Sequence, residues 1–443
     1  MLSDPIAALA TPPGRSAISV VRLSGKGALA VAGRVVPGVE SFPDRVAVLA
    51  RFLAADGTAL DEGLVTVFRG PHSYTGEDLV ELACHGGLLA PAQLLAALQA
   101  AGARGAEPGE FTRRALLNGK LDLLQAEAVG DLIDATAPAQ GRAALHQLEG
   151  GLSRRLLALR EELLELLALL AYDIDFPEED DGPVPLERIR NRLETAATAV
   201  TGLLATAPAG LRLREGALVV LAGRPNAGKS SLFNALLGIS RSLVTEIPGT
   251  TRDTIEALSD VEGWPVRLAD TAGLREAGER LERMGIEVSR RYVAAADLLL
   301  LCVEAGRMVA PEERELLEER PSLLVRCKAD LVPVAERESE EGIPVSVVTA
   351  EGIDRLRRAM AQRLFSFAGS FAELEPMLTR ERHRVALSRA ADALGATRTQ
   401  LGKDAVLAAH HIREAVGALE ELVGLVHPEE VLGRVFARFC VGK

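Results

Sequence analysis

The stretch GALVVLAGRPNAGKSSLFNALLG, Gly216 to Gly238, leaves a chain few ways to fold. An unbroken apolar run is followed by G-x-x-x-x-G-K-S, Gly223 to Ser230, and then by a helical pattern. Strand, glycine loop and helix in that order start a doubly wound parallel sheet whose loop holds a nucleotide phosphate. The backbone N–H groups of Asn226, Ala227 and Gly228 can wrap a β-phosphate at a helix N-terminus, with Ser231 just behind. Lys229 can neutralise β- and γ-oxygens, and Ser230 can ligate Mg²⁺. The runs ADLLLLCVE and SLLVRCK read as further buried strands of the same sheet, which extends to about Phe367.

Residues C-terminal to this loop identify the base. Asp270, Thr271, Ala272 and Gly273 spell D-T-A-G after the strand-like WPVRLAD, placing a carboxylate near the Mg²⁺ shell and a glycine amide near a γ-phosphate. Between the two motifs, Thr245, Glu246, Ile247, Pro248, Gly249, Thr250 and Thr251 form a loop expected to close over the nucleotide, with Thr251 joining Ser230 on the metal. This ordered set resembles the guanine-nucleotide-binding fold of translation-factor-like GTPases. The base-reading N-K-x-D is here Cys327, Lys328, Ala329, Asp330. Asp330 can accept from guanine N1–H and its amine, whereas Cys327 cannot donate an amide N–H to N7, a loss of about 1 kcal/mol. Ser346, Val347 and Val348 stand where S-A-K is usual. Leu274 occupies the place of the water-orienting Gln, so another group must serve. Glu282 is the candidate, although spacing alone favours a solvated helix charge in a run of similar charges. Asn226 offers a carbonyl to a monovalent cation, or simply steadies the loop.

With 50 Lys and Arg against 62 Asp and Glu, the net charge of −12 disfavours a broad phosphate-binding surface; nucleic acid can still be a substrate, gripped locally or through a partner. Cys84, Cys302, Cys327 and Cys440 lie too far apart in sequence for a zinc knuckle or a secreted disulfide framework, and a reducing cytoplasm fits best. No apolar run approaches the ~18 residues of a membrane span, and the start lacks the features of a secretory signal. Cys84 beside His85 reads as a buried thiol at a turn. His410 and His411, adjacent on a helix, are expected to point to different faces, which argues against a shared metal. The leucines from Leu152 to Leu170 read as core. Periodicity divides the chain into an α+β module (1–118), a helical segment (119–212), an α/β domain (213–370) and a returning helical segment (371–443). The final FCVGK puts Cys440 four from the end, but Gly442 and the charged Lys443 do not suit a prenylation signal.

Together with those motifs, ATPPGRSAISVVRLSG, GPHSYTGEDLVEL, PGEFTRRALLNGKLDLLQAEAVGDLIDA, IDFPEE and the terminal FCVGK resemble the tRNA-modification GTPase family called MnmE or TrmE, from residue 6 to residue 443. The resemblance implies a multidomain α+β and α/β chain: an N-terminal folate-binding α+β domain, a discontinuous helical domain and an inserted Ras-like P-loop GTPase domain. It implies 5-formyl- or methylene-tetrahydrofolate contacts at Arg22, Glu81, Lys120 and Lys443, and a K⁺ site at Asn226, Thr245, Ile247 and Thr250. Glu282 matches the family's catalytic glutamate. Cys440 matches the Cys of a C-terminal Cys-x-Gly-Lys implicated in the modification, as nucleophile or as part of the pocket wall. A homodimer is implied, with K⁺-stimulated hydrolysis on G-domain dimerisation. So is a flavoprotein partner, MnmG, that carries FAD and acts with it on C5 of wobble uridine (U34) in certain tRNAs. The rival expectations are a regulatory GTPase resembling Era or Der, and a one-carbon transferase with an accessory G domain.

Overall fold

A computed structural model describes residues 4–175, 185–240, 256–270, 291–365, 376–425, 429–437 and 439–443. Contacts group the chain into two units, 1–130 with 420–443, and 131–419.

The first unit is built on a six-stranded sheet: β1 (Ile6–Leu9), β2 (Gly14–Ser24), β3 (Ala47–Leu53), β4 (Ala59–Phe68), β5 (Leu79–Gly87) and β6 (Arg104–Gly105), in the order β3-β4-β5-β2-β1-β6. The runs SAISVVRLSG and LVTVFRG form strands as their β-branched content predicts. Val21, Leu23, Val65, Val67, Val80 and Leu82 are fully buried on this sheet, and the helices Ala28–Gly33 and Leu89–Ala100 complete their core. The β2/β5 register pairs Arg22 with Glu81, which sets the two side chains on one face. Farther along, the helix Glu429–Phe436 buries Leu432 and Phe436 against Leu116, Leu123 and Ala126. The last residues therefore lie on the first unit, where Pro108 bridges to Val441.

The second unit holds another six-stranded sheet: β7 (Ala217–Ala222), β8 (Glu256–Val261), β9 (Trp264–Asp270), β10 (Leu298–Glu304), β11 (Ser322–Cys327) and β12 (Ile343–Val345), ordered β12-β11-β10-β7-β9-β8. Every neighbouring pair is parallel except β8 with β9. A parallel sheet is covered on both faces, which is why β7 and β10 read as continuous apolar runs rather than alternating ones. The β8–β9 hairpin turns through Glu262 and Gly263, both at positive φ, the conformation a tight hairpin needs. Trp264 then stacks on Phe365 at 4.6 Å.

Helices make up the rest of this unit. Leu152, Leu156, Leu159, Leu163, Leu166 and Leu170 are buried at three- and four-residue steps on Gly151–Asp175, the core stripe expected of them. Leu186–Ala205 packs on both that helix and Glu381–Gln400. The helix Pro138–Leu148 abuts the parallel sheet: Ala139 lies in its core, and the Ala139 amide donates to the Gly263 carbonyl at 3.0 Å. Among the described residues, no helix is long and apolar enough to cross a membrane.

Candidate functional site

The phosphate loop leaves the C-terminal end of β7, where a doubly wound sheet binds its ligands. Two glycines let the loop lie flat on the neighbouring strands. A Cβ at Gly223 (φ +141°) would stand 2.2 Å from the Cys302 carbonyl oxygen, and one at Gly228 (φ +95°) 3.2 Å from the Cys327 Cβ. Asn226, at the exposed tip, takes a left-handed conformation with φ 62°. Lys229 opens the helix Lys229–Ser240 and is buried. Its ammonium donates to the Gly223 and Arg224 carbonyls at 3.0 and 2.8 Å, bonds that phosphate oxygens can replace. Leu221 pairs with Asp270 across β7 and β9, and this places Ser230 Oγ 2.7 Å from Asp270 Oδ2. A hydroxyl and a carboxylate make a hard oxygen pair suited to Mg²⁺.

Just past β12, the Ser346 hydroxyl donates to Oδ1 of Asp330, which follows β11, at 2.6 Å and accepts from the Thr349 amide at 3.2 Å. Ser346 is fully buried, so it fixes the carboxylate that would read a guanine edge. Val348 is 86% exposed and Val347 half-exposed, while Ala329 is buried. Lys328, at φ 57°, pairs with Glu304 at 3.1 Å. Cys327 is buried beneath Gly228 and hydrogen-bonds Cys302. That contact, with burial, pushes the Cys302 thiol well up; the same contact lowers the Cys327 thiol. The Cys302–Cys327 contact was not legible in the sequence, because the two residues are neighbours only through the β10/β11 register.

Thr245, Glu246, Ile247, Pro248, Gly249, Thr250, Thr251, Thr271, Ala272, Gly273, Leu274 and Glu282 lie outside the described residues.

A second cluster forms in the first unit. Arg22 donates through Nε and Nη2 to Glu81 Oε1 at 3.1 and 2.7 Å, and through Nη1 to the Gly442 carbonyl at 3.3 Å. Its guanidinium stands 5.6 Å from the Tyr74 ring and 5.7 Å from the Phe111 ring, a cation held between two π faces. The Phe111 amide donates to the Lys443 carbonyl at 3.1 Å and the Gly109 amide to the Cys440 carbonyl at 3.4 Å. Gly442, at φ +101°, passes so close to β1 that a Cβ would stand 2.5 Å from the Leu9 carbonyl oxygen. Burial and the charge of Arg22 lower the half-buried Lys443 amine, opposed by Glu81 and Cys440. Cys440 itself is exposed. Lys120 sits apart from these bonds, donating to the Pro71 carbonyl at 3.0 Å and so steadying the turn that carries Tyr74. Tyr74, Phe111 and the Gly442 carbonyl are site groups that motif reading did not single out.

The described fold and its phosphate loop define the class, a P-loop GTPase domain carried on a multidomain chain. Comparison with known proteins narrows this. The family description "GTP-binding protein TrmE N-terminus" matches residues 5–120, and "MnmE helical domain" matches residues 123–440. The tRNA modification GTPase MnmE of Moorella thermoacetica is 43% identical over the full length of both chains. The proteins of the same description from Laribacter hongkongensis and Aquifex aeolicus are 42% and 40% identical, covering 100% of this chain and 99% and 100% of their own. The chain belongs to the MnmE family of tRNA modification GTPases, and it is a GTP-binding enzyme of tRNA modification.

Proposed function

We propose that this chain couples GTP hydrolysis to a tetrahydrofolate-dependent modification of wobble uridine C5, adding an aminomethyl or carboxymethylaminomethyl group together with an FAD-carrying partner of the MnmG kind. The domain layout that goes with this reading is a folate-binding and dimerisation domain (1–118), a helical domain in two parts (119–212 and 371–443) and a G domain (213–370).

In the G domain, Lys229 meets the β- and γ-phosphates, Ser230 and Thr251 hold Mg²⁺, and Asp330, steadied by Ser346, selects guanine. Asn226, Thr245, Ile247 and Thr250 would hold K⁺, a positive charge against the transferring phosphoryl group. Glu282 positions the attacking water in a dimer of G domains. In the first unit, Arg22, Glu81, Lys120 and Lys443 bind the folate, and Cys440 faces the one-carbon chemistry. A cytoplasmic homodimer that takes tRNA with its partner fits the acidic composition, since the partner then supplies the basic contacts.

The observation that carries this reading is the Arg22 guanidinium, which pairs with Glu81 at 2.7 Å and also donates to the Gly442 carbonyl at 3.3 Å, so that the Cys440–Lys443 turn rests on that ion pair. A regulatory GTPase has no use for a C-terminal turn tied to that ion pair. Mass spectrometry of tRNA nucleosides from cells lacking the gene tests it. A modified wobble uridine should vanish, return with the wild-type gene and fail to return with Cys440→Ser. An unchanged nucleoside profile on deletion would favour the regulatory reading.

A further inference from the structure

His410 and His411 stand 100° apart around their helix, Ala405–Val423, and were expected to face different ways. The structure corrects this, and the reason lies one turn on. Glu414 is four residues from His410 and three from His411, which places it about 40° from the first and 60° from the second, inside the angle between them. Both rings turn toward it. His411 Nδ1 lies 2.9 Å from Glu414 Oε2, and His410 Nε2 lies 3.7 Å from Glu414 Oε1. The ring centroids are 5.5 Å apart, and one ligand atom from each of the three residues falls within 4.8 Å of the others.

We propose that His410, His411 and Glu414 form a binding site for a single borderline divalent metal ion, Zn²⁺ being the best match. Two imidazole nitrogens and one carboxylate oxygen form the donor set that Zn²⁺ takes, whereas Mg²⁺ and Ca²⁺ require oxygen cages. Metal–ligand bonds of about 2.0–2.1 Å in a tetrahedron place donors roughly 3.3 Å apart. The Glu414–His411 spacing already satisfies this, and a swing of the 59% exposed His410 side chain closes the rest. Because Glu414 and His410 are both open to solvent, a fourth position remains for water. The site draws only on this one helix and is independent of the folate and GTP readings.

Titration of the metal-free full-length chain with Zn²⁺ against a chromophoric chelator, at neutral pH, tests the proposal. Wild type should bind one ion per chain, and His411→Ala and Glu414→Gln should each weaken binding by about tenfold or more. Cys440→Ser, which removes the exposed thiol, should leave that affinity unchanged. With Co²⁺ as probe, the spectrum should show ligand-field bands and no thiolate charge-transfer band. Equal affinity in wild type, His411→Ala and Glu414→Gln would overturn the site, as would loss of binding in Cys440→Ser. Circular dichroism of both variants should match wild type, which separates lost ligands from lost fold.

Discussion

At residue scale, the most telling departure is Cys327. The sequence marks it as a thiol in a position that should read N7 of guanine, and the structure adds that this free thiol is buried under Gly228 and lies against the free thiol of Cys302. An amide placed there would meet the loop glycine and the base together. Cys327→Asn is therefore expected to tighten GDP binding by roughly fivefold, the worth of one hydrogen bond of about 1 kcal/mol. Calorimetric titration checks this; unchanged or weaker binding would mean that another group already reads N7. Asp330 was legible from its motif, but its restraint by Ser346 was not, since the local pattern shows only that Ser346 belongs to a stretch unlike the usual S-A-K. The same holds for Glu414: helical angles place it between the two histidines, yet adjacency in sequence suggests only that the rings diverge.

At the scale of elements, the helix Glu110–Leu117 is tied down at its start by charge. Glu110 accepts from Arg104 at 2.7 Å and from the fully buried Arg114 at 3.0 Å, and the Glu107 amide donates to its other oxygen at 2.9 Å. Despite the opposing effect of burial, these bonds hold the Glu110 carboxyl at about 2. Its folded value lies below its unfolded one, so the stabilisation is complete above the usual carboxylate range and is lost as pH falls from about 4.5 toward 2. Glu110→Gln should cost roughly 3 kcal/mol at neutral pH and flatten the acid limb of a stability–pH curve. Chemical denaturation at pH 7 and at pH 3 measures both; a steep acid limb surviving in the variant would assign it to other carboxylates. The strands and helices themselves were largely readable, because buried parallel strands need unbroken apolar runs and bundle helices need three- and four-residue steps. What patterns could not supply was pairing: the Arg22–Glu81 bond depends on the β2/β5 register, which no local period encodes.

At the scale of the whole molecule, a K⁺-dependent G domain would reveal itself in rate. GTP hydrolysis by the full-length chain should be much faster in K⁺ than in Na⁺ at equal ionic strength, and Asn226→Ala should abolish the difference. Equal rates in the two salts would remove the cation from the scheme. The first unit also constrains how the chain is made. Its sheet begins with β1, yet the turn at Gly442 rests on that same strand, and the Arg22 bond to the Gly442 carbonyl spans 420 positions. Joining segments so distant carries a closure cost that only the finished contacts repay. On a ribosome, the nucleotide-binding sheet, whose last strand ends at Val345, leaves the exit tunnel ahead of the tail, so the first unit is the part of the chain that must wait for Gly442 before its own sheet is fully covered.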